Sequence, residues 1–180
     1  VGHLEAMLHI FGYLQNRHNA RIVFDPTIPE IKHDDFIKRD WTNYYGDVKE
    51  LIPKNMPKPL GHAVDLRLYV DSDHAGERRT RRSRSGYLEY MKSAMISWLS
   101  KKQATIETSV FGSEFVAMKH GMEAMRGIRY KLRMMGIPIE GSTYVYGDNM
   151  SVVNNTTKPE LTLMKKSNAI CYHAVRESVA

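Results

Sequence analysis

Three acidic residues, Asp71, Glu114 and Asp148, fall where the sequence pattern predicts the ends of neighbouring elements. Asp71 follows the alternating stretch 64–70, Asp148 follows the strand-like run 143–147, and Glu114 lies early in a helical pattern between them. Carboxylates about 4 Å apart repel by roughly 4 kcal/mol at an effective dielectric constant of about 20, so three converging ones need protonation or cations. Such oxygen ligands select a hard ion, Mg²⁺ or Mn²⁺, and pairs of these ions serve phosphoryl displacement.

Each of these carboxylates also has a purely structural explanation. Asp148, with Asn149 beside it, suits the cap of the helix that follows, and Glu114 suits the first turns of its own helix. Asp71 and Asp73 are common turn residues. The spacing alone therefore leaves both a metal centre and ordinary capping open.

A cluster of basic residues follows Asp71. Residues 76–102 contain five arginines and three lysines against two glutamates, a local surplus that equals the net charge of +6 of the whole chain. Such a cluster is typical of nucleic-acid binding, whereas a solvated charge run, or a loop salt-bridged to Asp71 and Asp73, is the alternative. Beside carboxylates that bind hard cations, the cluster predicts hydrolysis of phosphodiesters.

Alternation predicts the first part of the sheet that must position these residues. Residues 64–70 alternate between apolar and polar side chains and indicate a strand with one buried face. Two further strands, at 86–91 and 95–99, are joined by a tight turn at residues 92–94. Together the three strands should form an antiparallel meander.

Apolar residues at helical spacing predict the helices, which cover residues 2–16, 110–135, 149–155 and 168–179. The helix at 110–135 crosses between strand 64–70 and strand 143–147, so these two strands should be parallel. Asp71 and Asp148 would then lie at neighbouring carboxyl ends, where open α/β sheets bind their ligands, and Glu114 would face the same edge.

Several single side chains carry predictions of their own. The methionines of the helix at 110–135 should fill its core face, and Ile170 and Val175 should anchor the last helix. The single cysteine, Cys171, excludes an internal disulfide and a zinc site of the CxxC kind, and is predicted to be a small buried hydrophobic residue. The uncharged stretch 93–100 is too short to span a bilayer, so no membrane association is expected.

A proline-rich region separates the first helix from the sheet. Five of the seven prolines fall between residues 25 and 61, mixed with charges. This composition predicts an irregular connection, on which Trp41, Tyr44 and Tyr45 are expected to dock against a neighbouring element.

Five short blocks of the sequence resemble, in order and spacing, the ribonuclease H domain of copia-type LTR-retrotransposon polyproteins. They are DSDHAG at 71–76, RRSRSGY at 81–87, ISWLSKKQ at 96–103, SEFVAM at 113–118 and YGDNMS at 146–151. Each block is modest alone, but five in order are specific, and the resemblance covers about residues 64–180.

The resemblance implies a ribonuclease H-like α/β fold, with a mixed sheet of three antiparallel strands and one parallel strand between flanking helices. Asp71, Glu114 and Asp148 would be the catalytic residues and would hold two Mg²⁺ ions, with Mn²⁺ as a substitute. The substrate would be the RNA strand of an RNA/DNA hybrid made during reverse transcription of a retroelement. The candidate nucleic-acid contacts are Arg78, Arg79, Arg81, Arg82, Arg84, Lys101, Lys102 and Asn149.

The resemblance also implies a domain organisation. Residues 1–25 are similar to the last helix of a reverse transcriptase, residues 26–61 would be the connection, and residues 62–180 the ribonuclease H-like domain. The family's DIRYH stretch appears here as residues 169–173, AICYH, and a final strand and helix with a fourth carboxylate are expected beyond Ala180. The missing initiator Met also fits a fragment of a longer polyprotein.

Two functions are therefore expected to compete. One is an endonuclease that works with the rest of a retroelement polyprotein, in the cytoplasm within a virus-like particle or in the nucleus. The other is a catalytically weak or inactive remnant of the same domain that still binds nucleic acid.

Overall fold

Three consecutive strands form an antiparallel meander, as the alternation predicts. The computed structural model describes residues 2–31, 36–163 and 169–180 of the chain. β1 (Leu66–Asp73) pairs with β2 (Arg84–Met91), and β2 pairs with β3 (Ala94–Lys102). Lys92, in the turn between β2 and β3, has a φ of 53°, the left-handed conformation used by tight hairpin turns. The predicted meander is confirmed.

A fourth strand joins the sheet after a long helical crossover. The helix α3 (Val110–Met134) connects β3 to β4 (Tyr144–Gly147), and β4 pairs parallel with β1. The strand order is β3-β2-β1-β4, with α4 (Met150–Thr157) and α5 (Ala169–Val179) following β4. This mixed sheet with flanking helices is the predicted α/β, ribonuclease H-like arrangement.

The core lies between the sheet and α3. Alternate residues of β1, namely Leu66, Leu68 and Val70, are buried under the helix, which contributes the fully buried Phe115. Close approach of α3 to β1 depends on Gly121, because a Cβ there would lie 3.2 Å from the side chains of Leu68 and Val70. Gly121 therefore sets how near the helix, and the residues at its start, lie to β1.

The methionine prediction holds for most of the helix. Met118 and Met125 are buried in the core, and Met122 packs against it. Met135 is 70% exposed because it lies just beyond the end of α3 and no longer follows the core face. Cys171 is half-buried against the same core.

The prediction that Ile170 anchors α5 on the core is wrong, since the side chain of Ile170 is 81% exposed. The helix instead buries Tyr172 and Arg176 beside the predicted Val175. Arg176 is 2% exposed and donates to the carbonyl oxygens of Leu161 (2.6 Å) and Pro159 (2.5 Å). Its guanidinium satisfies backbone acceptors in the interior, which explains why a charged residue faces inward.

The connection before the sheet is docked on the rest of the structure. Trp41 lies just before the short helix α2 (Thr42–Tyr45) and is 5% exposed. The Arg176 guanidinium lies over its ring, with 4.9 Å between the guanidinium Cζ and the ring centroid. Glu50 forms ion pairs with Arg129 (2.8 Å) and Arg133 (2.5 Å) of α3. The docking predicted for the aromatic residues is confirmed for Trp41 and for Tyr45, whose hydroxyl hydrogen-bonds with the ring of His173 on α5 (2.7 Å), whereas Tyr44 is exposed.

The first helix, α1 (Gly2–Asn16), has the predicted span, but none of its residues is buried. Its apolar face, with Leu8 and Phe11 each more than half exposed, makes no contribution to the core of the sheet. Among the described residues, no helix combines the length and the apolar character needed to cross a membrane.

Candidate metal centre and basic surface

The parallel pairing of β1 with β4 brings two of the three carboxylates side by side. Val70 lies opposite Gly147, so the next residues along the two strands are Asp71 and Asp148. Neighbouring strands lie about 4.8 Å apart, within reach of two short acidic side chains. β1 itself continues through Asp73, because its pairing with β2 persists to that residue, so Asp71 is a strand residue rather than a turn residue.

The third carboxylate comes from the start of α3. Ser109 caps this helix, and its hydroxyl accepts a hydrogen bond from the backbone N–H of Gly112 (3.2 Å). Glu114 is the fifth residue of the helix and only 8% exposed. One oxygen from each of Asp71, Glu114 and Asp148 lies within 4.8 Å of the others, so the predicted cluster exists.

Capping does not explain Asp148. The cap of α4 is Asn149, whose side-chain oxygen accepts hydrogen bonds from the N–H groups of Ser151 (3.1 Å) and Val152 (3.2 Å). Glu114 lies beyond the first turn of its helix, which contains no acidic residue. A purely structural role as a helix cap for Asp148, or as a first-turn charge for Glu114, is therefore not supported.

The electrostatics of the cluster fit a cation. Burial raises the pKa of Glu114 to about 7, hydrogen bonding with Ser72 opposes the rise, and the charges of Asp148 and Asp71 add to it. Within the described ranges, no lysine or arginine forms an ion pair with any of the three carboxylates.

The donor set and its span also fit a hard divalent ion. All three donors are carboxylate oxygens, the ligands that Mg²⁺ and Mn²⁺ prefer. The three donor oxygens lie within 4.8 Å of one another, a span comparable to the about 4.2 Å between opposite ligands of an octahedral Mg²⁺ ion. Asp71, Glu114 and Asp148 are thus a candidate metal centre.

Four buried polar side chains behind the cluster were missed by the sequence reasoning. Ser83, Ser85 and Ser113 are fully buried and Gln103 is 2% exposed. Polar residues in the blocks at 81–87, 96–103 and 113–118 were assigned to the surface or given no role. Ser113, next to Glu114 at the start of a helix, was the available signal, but its burial could be recognised only from the packing.

The basic residues gather at the end of the sheet where Asp71 lies. Cross-strand pairing aligns Asp73, Arg84 and Lys102 in one row, and Asp71 lies opposite Gly86 in the row two residues earlier along β1. Arg84, Lys101 and Lys102 are exposed. Arg84 is one strand away and two residues along from Asp71, a Cα separation of about 8 Å for typical sheet spacings.

The other arginines lie on the loop between β1 and β2. Arg78, Arg79 and Arg81 are exposed and Arg82 is half-buried. Glu77 holds this loop, because its carboxylate accepts from the N–H groups of Arg79 (3.1 Å) and Thr80 (3.1 Å).

The hypothesis of a loop salt-bridged to Asp71 and Asp73 is not supported. Within the part of the chain that the structure describes, neither aspartate forms an ion pair with any of the five arginines, and the acidic partner of Lys102 is Glu77 (3.9 Å). The exposed side chains of Arg78, Arg79, Arg81 and Arg84 therefore face solvent rather than the carboxylates, whereas Arg82 is half-buried. Asn149 lies beside Asp148, where its oxygen caps α4.

Segments of two plant retrotransposon polyproteins are similar to this chain. The chain is 30% identical over 119 residues to the Retrovirus-related Pol polyprotein from transposon RE1 of Arabidopsis thaliana, and the aligned segment covers 66% of this chain and 8% of that protein. It is 29% identical over 114 residues to the Retrovirus-related Pol polyprotein from transposon TNT 1-94 of Nicotiana tabacum, covering 63% of this chain and again 8% of that protein. The chain thus spans less than a tenth of the curated polyproteins it matches.

A third similarity falls outside this group. Over 55 residues the chain is 40% identical to Secreted RxLR effector protein 161 of Plasmopara viticola, which covers 31% of this chain and 39% of that protein. No family model matches the chain. The chain is thus similar to segments of retrotransposon Pol polyproteins and, over a shorter stretch, to an effector protein.

Proposed function

We propose that this chain is a ribonuclease H-type endonuclease domain that uses Mg²⁺ or Mn²⁺ to hydrolyse the RNA strand of RNA/DNA hybrids. One observation carries the proposal: Asp71, Glu114 and Asp148 converge to within 4.8 Å without a cationic partner among the described residues. Three converging carboxylates with oxygen-only donors are a binding arrangement for hard divalent ions. The similarity to Pol polyproteins supports a role in the replication of a retroelement.

The division between acidic and basic residues supports a phosphodiester substrate. When bound by Asp71, Glu114 and Asp148, the divalent ions supply Lewis-acid stabilisation of charge on the phosphate and activation of water. The exposed Arg84 and Lys102, in the row two residues along from Asp71, are suited to hold the phosphates on either side of the cut.

The loop arginines extend the proposed contact beyond the cut. Arg78, Arg79 and Arg81 are exposed, and the loop that carries them is held in shape by Glu77. Contacts of this kind position the duplex without reading its sequence. The selection of RNA through its 2′-OH groups is likewise independent of the sequence. Arg82 and Lys101 belong to the same proposed surface.

The partners and the compartment belong to the same proposal, and the polyprotein relatives support only a place within a larger retroelement polyprotein. The domain would act beside a reverse transcriptase region of the same polyprotein, within a cytoplasmic virus-like particle or in the nucleus. Residues 1–25 are proposed to belong to that region and residues 26–61 to connect it to the nuclease domain.

A non-catalytic nucleic-acid-binding remnant is the second candidate function. The similarity to an effector protein over 55 residues favours it, because a related segment then occurs in a protein that is not named as a polymerase or nuclease. The remnant would bind hybrids through the same basic residues but would not cut them with any divalent ion.

Cleavage of a strand-labelled RNA/DNA hybrid distinguishes the two functions. With Mg²⁺ the chain should cut the RNA strand and leave the DNA strand intact, and Asp71→Asn should abolish cutting. Asp73→Asn is the matched control, since it changes the same residue type on the same strand outside the carboxylate cluster. It should retain cutting within about threefold of the wild type, a difference of about 0.6 kcal/mol in activation free energy.

Two results would contradict the nuclease assignment. One is equal cutting by Asp71→Asn and the wild type, which would indicate a contaminating nuclease or a different site. The other is salt-sensitive hybrid binding without cutting in Mg²⁺ or Mn²⁺, which would establish the remnant instead.

A further inference from the structure

A buried amide joins the end of β3 to β2 and to α3, the helix that carries Glu114. Gln103 follows β3, is 2% exposed, and donates through its amide nitrogen to the Ser85 hydroxyl (3.0 Å) and the Ser113 carbonyl oxygen (2.9 Å). Its backbone N–H donates to the carbonyl of Ser83 (2.8 Å). The side chain thus spans from β2 to the first turn of α3, and both of its amide N–H donors are used.

The chain of hydrogen bonds continues to the neighbours of both acidic residues. Ser113, immediately before Glu114, donates through its hydroxyl to the carbonyl of Val110 (2.8 Å) and accepts from the Ser72 hydroxyl (3.1 Å). Ser72 immediately follows Asp71, and its backbone N–H donates to the Asp71 carboxylate (2.8 Å). One continuous network, Ser85 to Gln103 to Ser113 to Ser72, therefore fixes the start of α3 against β1 and β2.

The contacts of this amide come from its two N–H donors. In the described part of the chain the side-chain oxygen of Gln103 has no hydrogen-bond partner, whereas both donors are used. An apolar side chain of similar shape would leave the Ser85 hydroxyl and the Ser113 carbonyl without this donor, at a cost of about 1–3 kcal/mol for each buried group. What an apolar side chain lacks is the ability to hold the Ser113 carbonyl at a fixed distance from β2.

We infer that Gln103 is a positioning residue for the metal centre, and this inference rests on the proposed function. The amide fixes the first turn of α3 so that the Glu114 carboxylate lies beside Asp71 and Asp148. It touches neither the carboxylates nor the substrate, and it acts through Ser113. Partners that orient the ligands of a metal commonly contribute 10- to 100-fold to metal affinity.

A titration with Mn²⁺ tests this role without a substrate. The electron paramagnetic resonance signal of the free ion reports how much Mn²⁺ is bound. Gln103→Met keeps the length of the side chain and removes both donors, and it should raise the Mn²⁺ dissociation constant about tenfold. Gln15→Met is the matched control, because Gln15 lies exposed on α1, and it should bind Mn²⁺ as the wild type does. A purely structural role would change the melting temperature in EDTA but not the dissociation constant.

Ser85→Ala provides a second, milder test, since it removes one acceptor of the amide and leaves Gln103 in place. It should raise the Mn²⁺ dissociation constant about threefold. Unchanged Mn²⁺ affinity in folded Gln103→Met overturns the inference. If Gln103→Met does not fold, unchanged affinity in Ser85→Ala overturns it instead.

The same titration separates this inference from the proposed function. Asp71→Asn should lose Mn²⁺ binding; if it binds as the wild type does, the metal site is wrong and both ideas fail. If Asp71→Asn loses binding but Gln103→Met does not, only the positioning role fails. If both lose affinity and the wild type still cuts no hybrid, the positioning role stands and the nuclease assignment fails.

Discussion

The Glu114 carboxyl should make the metal-free protein less stable as the pH rises. Burial raises its pKa from the ordinary value of 4.5 to about 7, so the folded chain retains a proton that the unfolded chain releases between these values. This contribution to stability is complete below pH 4.5 and is lost as the pH rises through about 7. With about 1.36 kcal/mol for each pKa unit, the loss amounts to about 3 kcal/mol.

Glu114→Gln isolates this effect, because the neutral amide mimics the protonated acid at every pH. In EDTA the variant should lie within about 1 kcal/mol of the wild type near pH 5 and exceed its free energy of unfolding by about 3 kcal/mol at pH 8. Burial also raises the pKa of Glu89, but that background is common to both proteins and cancels in the difference. Urea denaturation followed by circular dichroism at constant ionic strength gives the two free energies.

Glu123→Gln is the matched control on the same helix, since Glu123 is exposed and paired with Lys119. It should change stability by less than about 1 kcal/mol at either pH. Adding Mg²⁺ at pH 8 should stabilise the wild type and leave Glu114→Gln almost unchanged, because the amide is a poor ligand for the ion. A Glu114→Gln variant whose stability relative to the wild type is the same at pH 5 and pH 8 would refute the reasoning.

Three further predictions concern the framework that holds the site. Gly121→Val should lower the free energy of unfolding by about 2 kcal/mol through overpacking against β1, whereas Gly127→Ala, in open space on the same helix, should raise it by about 0.5 kcal/mol in urea denaturation. Arg176→Ala should cost about 3 kcal/mol in the same assay, because it leaves three backbone carbonyl oxygens, those of Asn155, Pro159 and Leu161, without their charged donor. Glu50→Gln should lower the free energy of unfolding by about 1 kcal/mol at pH 7, after allowance for solvent screening, and by less in high salt. Hydrogen bonds from arginine lower the pKa of Glu50 to about 2, so this loss should disappear as the pH falls from 4.5 through that value.

The sheet and the carboxylate cluster could be predicted from the sequence because both depend on local patterns. Alternation defined β1, and the helical crossover required β1 and β4 to be parallel, which placed Asp71 beside Asp148. The prediction ended β1 too early because polar residues 71–73 do not look like a strand, although pairing with β2 continues to Asp73.

The interior polar contacts could not be predicted, because sequence patterns assign charged and amide side chains to the surface. Arg176 is buried because backbone carbonyl oxygens converge on it, and Gln103 because β2 and α3 meet around it. Ile170 was chosen as an anchor for its apolar character, but the face of α5 that meets the core carries Tyr172 and Val175. These cases depend on contacts between residues distant in sequence.

Single-turnover cleavage of an RNA/DNA hybrid by single and double carboxylate variants tests the central claim most directly. If Asp71 and Asp148 hold the same ions, Asp71→Asn and Asp148→Asn should each reduce the rate at least about 100-fold, and the double variant should lose little more than either single one, since groups that act as a unit are strongly non-additive. Losses that multiply in the double variant, or a single variant that cuts at the wild-type rate, would contradict a shared metal centre.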